Sequence, residues 1–285
     1  MEIIDTHCHI ISADATAYPP APIGGKQSEW AATRPVTAEG LLAETDETGI
    51  AKSVLVQATT HYGYDNSYVV DSARAHPDRF VAVGTFDPLR PAAADVLAEA
   101  IGAGGAGGLA GVRLFTSGST VPIQGEWFAD PGTYPFWERA GELDVPVCLQ
   151  MRLGPATSQL QAVLERFGNV RILLDHIGYP DIAGSPAQAG DQVAELAKYP
   201  NLYLKLTHRN LERLQDAGER AADFLDPVIG AFGADRIAWG SNRPAAEQSL
   251  PQLRALAEDV LASQPVAARE KIFAGTARSL YPALA

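Results

Sequence analysis

Short apolar runs, often β-branched, alternate along the chain with longer stretches whose apolar positions recur every three to four residues. The first run, residues 1–10, leads straight into Asp5, His7 and His9. A strand repeats every two residues, which predicts these three side chains on one face and Thr6 and Cys8 on the other. Residues 12–35 are rich in Ala, Pro and Gly, carry Tyr18 and Trp30, and show no periodicity. They read as a long loop, of the kind that forms lids and binding loops. A helix follows from about Thr37, with Leu41, Leu42 and Thr45 on its buried face and Gly49 placed to end it. Residues 53–57 form a β-branched run typical of a buried parallel strand.

The same reading predicts helices over 66–75, 92–103, 135–143, 157–167, 188–198, 221–232 and 251–263, with a short helical segment after Pro265. It predicts strands over 80–85, 112–115, 145–150, 171–175, 202–206 and 236–239. Eight strand-then-helix units without a linker make a single-domain (β/α)8 TIM barrel spanning 1–285. The glycine run at 102–111 precedes a strand, whereas a phosphate-binding loop follows a strand and opens a helix, so it reads as a helix terminus and loop.

Composition narrows the possible partners. A net charge of −12 over 285 residues excludes a nucleic-acid backbone or an anionic membrane surface as the expected partner. It leaves room for a small anionic substrate, because a few local Arg outweigh the global field. Cys8 and Cys148 are the only cysteines, both in apolar strand-like runs, and read as reduced core thiols. With no basic segment leading into an apolar core at the N-terminus, and no apolar run of membrane-spanning length, the expected location is the cytoplasm.

Chemistry in such a barrel gathers at the C-terminal ends of the strands. Those ends carry His7 and His9, Gln57 and His61, Asp87, Arg113, Gln150 and Arg152, Asp175 and His176, Lys205 and His208, and Asn242 and Arg243. Five of the six histidines fall there, with His61 and His208 on loops further out; His76, at a helix end, reads as structural. Arg113 lies inside an apolar strand, where a lone guanidinium would be costly, so it should face a carboxylate of the protein or of a ligand.

Several of these residues sit in motifs that resemble the amidohydrolase superfamily. They are Ile4-Asp5-Thr6-His7-Cys8-His9, Val54-Leu55-Val56-Gln57, Gly111-Val112-Arg113, Leu174-Asp175-His176-Ile177-Gly178, Leu202-Tyr203-Leu204-Lys205-Leu206 and Ile237-Ala238-Trp239-Gly240-Ser241-Asn242-Arg243-Pro244. The chain is most similar to the amidohydrolase-2 group of 2-pyrone-4,6-dicarboxylate lactonase and related lactone hydrolases. The resemblance implies that His7, His9 and His176 surround the scissile carbonyl without a tightly bound metal, while Arg side chains hold substrate carboxylates. Metal-dependent branches bind zinc through the first two His and a His after strand five, where this chain has Gln150, a poor zinc ligand. Strand eight in the family carries an Asp that deprotonates water. Here it is Asn242, which accepts a hydrogen bond but not a proton.

The resulting expectation is a cofactor-free hydrolase that opens a small carboxylated lactone or cyclic ester. His7, His9, His176 and Asn242 form its catalytic set. Gln57, His61, Arg113, Gln150, Arg152, Lys205, His208 and Arg243 are its substrate-binding candidates, and Arg209 is a further guanidinium that could join Arg113. Trp30 or Tyr62 would cover the substrate ring, and Asp175, His176 or His208 would replace the missing base. One alternative is a metal-dependent amidohydrolase or decarboxylase, with one zinc or manganese ion on His7, His9 and His176. Another, prompted by Asn242, is a non-catalytic barrel that binds a small anion.

Overall fold

The computed structural model of the chain describes residues 1–102, 108–116, 120 and 127–285. Eight strands form one parallel sheet in sequence order: β1 (Ile4–Cys8), β2 (Lys52–Val56), β3 (Phe80–Thr85), β4 (Leu109–Phe115), β5 (Val147–Gln150), β6 (Ile172–Leu174), β7 (Leu202–Thr207) and β8 (Ile237–Gly240). Ser53 pairs with Phe80, Val112 with Val147 and Leu204 with Ile237. The sheet closes where Cys8 bridges Arg243 in parallel, His9 N donates to Arg243 O at 2.7 Å, and Asn242 N donates to His7 O at 2.7 Å. Each strand is followed by at least one helix, which gives the (β/α)8 barrel.

Alternation along the parallel strands divides the apolar residues between two cores. Val54, Val56, Val81, Val83, Cys148 and Leu173, spaced two apart within their strands, fill the barrel interior with Ile4. Ala277, Leu280, Tyr281 and Leu284 of the C-terminal segment pack onto the same cluster and plug one end. The intervening residues, among them Leu55, Ala82, Leu114, Leu149 and Leu204, meet the surrounding helices, as do Trp137, Phe224 and Leu250 from the helix side. Local signals set the helix ends: Thr37 Oγ1 accepts from Gly40 N at 3.1 Å to open Ala38–Thr48, and Gly49 at φ 71° closes it in the left-handed region. Among the described residues, no helix is long and apolar enough to cross a membrane.

The structure differs from the sequence reading in five places, the first a short helix, Glu29–Thr33, within the loop expected over 12–35. The register shifts between Asp5 and Cys8, so strict alternation fails on β1. Asp5 does not join the imidazoles; its Oδ1 accepts from His7 N at 3.0 Å and Ser241 N at 2.8 Å, tying β1 to the end of β8. His208 is no outlying loop residue: it opens the helix His208–Ala217, whose capping box is built by Thr207 and Asn210. His61 sits in the buried helical turn Thr59–Tyr62. Half of the glycine run at 102–111, residues 103–107, falls outside the described residues, and the expected helix over 92–103 is described as Ala93–Gly102.

Candidate active site

The buried charges converge on the carboxylate of Asp175, which directly follows β6. Arg113 Nε on β4 donates to Asp175 Oδ2 at 2.9 Å. Oδ1 lies 2.9 Å from Lys205 Nζ on β7 and 3.6 Å from His7 Nδ1 on β1. Burial alone would push this carboxyl up, but Lys205 and Arg113 outweigh it and hold it well below the usual carboxylate range. Burial would likewise lower the Lys205 ammonium, and Asp175 reverses that, leaving it raised. Asp175 therefore stays ionised and is a poor proton acceptor.

Three imidazoles pack beside this cluster. The ring centres of His7 and His9 lie 4.8 Å apart and those of His7 and His176 5.2 Å apart. His9 Nδ1 lies 2.8 Å from Val56 O, which can only accept, so its proton sits on Nδ1 and Nε2 carries the lone pair. Trp30, from the early loop, stacks on the His9 ring with centres 5.2 Å apart. His176 Nδ1 lies 2.7 Å from Thr207 Oγ1. Asn210 Nδ2 donates to His176 O at 2.8 Å. His176 and Ile177 follow β6 in the left-handed region, at φ 56° and 52°, a strained turn for a β-branched residue that re-aims the imidazole. Neither ring nitrogen of His7 has a hydrogen-bond partner among the described residues.

Burial pushes all three histidines down. His9 falls to about 3, with Arg113 adding to the effect, and His7 and His176 fall well below the ordinary value. All three are neutral at pH 7.

A cavity of about 170 Å3 opens at the C-terminal ends of the strands. That is smaller than the roughly 300–1,000 Å3 common for drug-sized ligands. His9, His176, Asn242, Arg113 and Gln150 line it, as do Trp30, Tyr179 and Arg209. Asn242 is left-handed at φ 62°, a conformation Asn tolerates. No acidic side chain lines the cavity among the described residues. A larger cavity, of about 450 Å3, lies beside the helices Ser67–Ala75 and Ala93–Gly102 and holds no imidazole.

The other expected site residues lie elsewhere. His7 and Lys205 are wholly buried and do not line the cavity. Gln57 Nε2 donates to Asp65 O, and His61 Nδ1 pairs with Gln27 Oε1 at 3.1 Å. Arg243 forks onto Glu44 at 2.9 and 2.8 Å, which occupies its guanidinium. His208 is buried at its helix start, and burial pushes it to about 3. Arg152 lies over the Tyr179 ring at 4.8 Å, outside this cavity. Tyr62 accepts from Ser12 N at 2.8 Å and does not line the cavity, so of the two aromatics expected over a ring, only Trp30 reaches it.

Residues not anticipated are Tyr179, Thr59, Thr60 and Thr120. Tyr179, whose hydroxyl accepts from Gln150 Nε2 at 3.2 Å, follows His176 by three residues. Its place in the loop after a strand was the available signal.

The donor set argues against a resident divalent ion. Among the described residues, no three His, Cys, Asp or Glu side chains are grouped as metal ligands. Beside His9 and His176, the cavity presents the guanidinium groups of Arg113 and Arg209 and the carboxamides of Gln150 and Asn242. The two guanidinium groups disfavour a divalent cation and favour an anion, and the carboxamide oxygens are neutral, weak ligands for zinc or manganese.

A parallel eight-stranded barrel with imidazoles at the C-terminal mouth is an enzyme architecture. The sequence pattern of the Amidohydrolase family matches residues 4–283, and the chain belongs to that family of enzymes. The L-fucono-1,5-lactonase of Burkholderia ambifaria is 30% identical over 130 residues, which cover 42% of this chain and 41% of that protein. The match thus spans less than half of that relative. A Pseudomonas putida structure, provisionally assigned as a 2-pyrone-4,6-dicarboxylic acid hydrolase, superposes with a TM-score of 0.78 at 24% identity, covering 99% of this chain and 98% of that one. A zinc-bound amidohydrolase from Burkholderia multivorans gives 0.73 at 22% identity, with 99% of each chain covered. At these identities the two structures bear on the fold.

Proposed function

We propose that the protein is a hydrolase that opens a small carboxylated lactone or related cyclic ester. The observation that carries this reading is the small cavity itself, which sets two neutral imidazoles beside two guanidinium groups with no lining carboxylate. The partial relative named as a lactonase supports the same class of reaction.

In this reading the substrate carboxylate rests on the Nη groups of Arg113, whose Nε is held by Asp175. Thr207 Oγ1 lies 2.7 Å from His176 Nδ1 and 3.5 Å from Asn210 Oδ1. Its hydrogen goes to the nearer acceptor, so His176 turns an Nε2–H toward the cavity and donates to the carbonyl oxygen as it becomes an oxyanion. Asn242 orients the attacking water. His9 Nε2 takes a proton from that water as the new C–O bond forms. The ring C–O bond then breaks, and the departing alkoxide receives the proton. Arg113 is one of the groups that depress His9, so a substrate anion bound to Arg113 makes His9 a better base. His7 and Lys205 act from beneath by fixing Asp175.

The test is proton release from a panel of carboxylated lactones, with the natural protein and Asn242→Asp side by side. Turnover by the natural protein is expected, with a gain of up to about 10²-fold in the Asp variant, which supplies a conventional base. Turnover by the variant alone would remove His9 as the base, and turnover by neither would end the hydrolase reading.

A further inference from the structure

A file of polar side chains runs through the barrel interior from its C-terminal plug to Arg113. Tyr281, which follows the helix Thr276–Leu280, places its hydroxyl 3.4 Å from Cys148 Sγ on β5. Lys205 Nζ on β7 lies 3.4 Å from the same sulfur and 2.9 Å from Asp175 Oδ1. The second oxygen of that carboxylate accepts from Arg113 Nε at 2.9 Å. Tyr281, Cys148, Lys205 and Asp175 are all closed off from solvent, so the polar atoms of each depend on their neighbours in the file.

The surrounding chain makes room for this file and anchors its far end. Gly111 and Arg113 are two apart on β4 and share its interior face. A Cβ at Gly111 would lie 3.1 Å from Tyr281 Cε1 and 3.1 Å from Val83 Cγ2, so glycine here lets the tyrosine ring pass beneath Arg113. Arg171 Nη1 donates to Ser279 O at 2.9 Å and Lys52 Nζ to Leu284 O at 3.2 Å, which holds the plug on either side of Tyr281. Lys205 Nζ can only donate, so the sulfur accepts from it. Burial pushes up both the Cys148 thiol and the Tyr281 hydroxyl, so both keep their protons and share a neutral hydrogen bond.

We infer that Tyr281 is a positioning residue for the active site: through Cys148 and Lys205 its hydroxyl fixes Asp175, and Asp175 aims the Arg113 guanidinium into the cavity. Asp175 sits between two cations, so whatever holds Lys205 Nζ in place also sets where the carboxylate meets Arg113. The C-terminal plug thereby acts on the site although Tyr281 does not line the cavity. The inference rests on the reading of Arg113 as the group that holds the substrate anion, and not on which ring is opened.

The experiment is steady-state kinetics on a carboxylated lactone with the natural protein and Tyr281→Phe, which keeps the ring against Gly111 and removes only the hydroxyl. The variant should raise KM about threefold, the scale of one neutral hydrogen bond, with kcat within about twofold. An unchanged KM overturns the inference whatever happens to kcat, because a merely structural role lowers the active fraction and hence kcat alone. Cys148→Thr and Cys148→Val give a second test on side chains of the same shape. A position that only packs favours Val, whereas the polar file requires the reverse. Thr should keep KM within about twofold of the natural protein and Val should raise it about tenfold, since Lys205 then loses an acceptor; a KM for Val at or below that for Thr overturns the inference. If no lactone is turned over, calorimetric titration with the ring-opened hydroxy acids replaces KM by Kd. A Kd about threefold weaker in Tyr281→Phe at unchanged stoichiometry then upholds the positioning role while the hydrolase reading fails. An unchanged Kd, or no binding to the natural protein, overturns it.

Discussion

Acid should destabilise this protein steeply, because its interior holds histidines that cannot take up a proton while folded. His7, His9, His176 and His208 are all pushed down by burial, His9 and His208 to about 3. In the unfolded chain each titrates near 6.5. Above that pH neither state binds the proton, and the groups do not affect stability. Below it the unfolded chain gains protons that the folded chain refuses, so stability falls with pH until the folded values are reached. Each such group contributes a limiting slope of about 1.4 kcal/mol per pH unit, and four give about 5 kcal/mol per unit.

From pH 7 to pH 5, His9 and His208 alone account for a loss of roughly 4 kcal/mol, to which His7 and His176 add in the same direction, against a total stability of about 5–15 kcal/mol for a typical domain. Urea unfolding at constant ionic strength, run from pH 5 to pH 7.5, measures the slope directly. His208→Asn, which removes one of the four without touching the cavity lining, should lower the slope by about one proton. A slope near pH 5.5 worth less than one proton would refute the reasoning, because it would mean that the buried imidazoles ionise inside the fold.

Three further outcomes follow from the same geometry. Lys205→Met leaves Asp175 with Arg113 as its single close cation and should cost about 3 kcal/mol, read as a shift of the urea midpoint at pH 7. Gly240→Ala should destabilise the protein by about 1–3 kcal/mol and abolish turnover, since the added Cβ would come within 2.6 Å of His7 Cβ and 3.0 Å of His7 N; thermal unfolding and the proton-release assay check the two halves. Turnover should survive dialysis against a chelator, and addition of zinc should not raise it; loss on chelation with recovery on zinc would reinstate a metal site at His7, His9 and His176.

The barrel was legible before its structure because parallel strands buried on both faces must be apolar runs, and amphipathic helices must repeat every three to four residues. The strand over 80–85 and the helix over 221–232 coincide with Phe80–Thr85 and Ala221–Phe232. The helix His208–Ala217 was missed: its apolar face is only Leu211 and Leu214 among charged residues, too sparse a stripe to register. The gathering of His9, Arg113, Gln150, His176 and Asn242 was legible too, because one strand end follows another around the mouth of a barrel.

What the sequence determined by itself was therefore periodicity and order, which place residues at the C-terminal mouth. Which side chains reach the cavity was decided by tertiary contacts between residues distant in the chain. Glu44 captures Arg243, Asp65 O captures Gln57, and Asp175 holds Arg113 and Lys205 from strands on either side. The same holds for Asp5, beside the register shift of β1, whose carboxylate is engaged by the backbone of Ser241 and not by the cavity. A period of two or 3.6 specifies direction within one element, whereas the choice between solvent, ligand and protein partner is a competition settled only once all eight strand ends stand side by side.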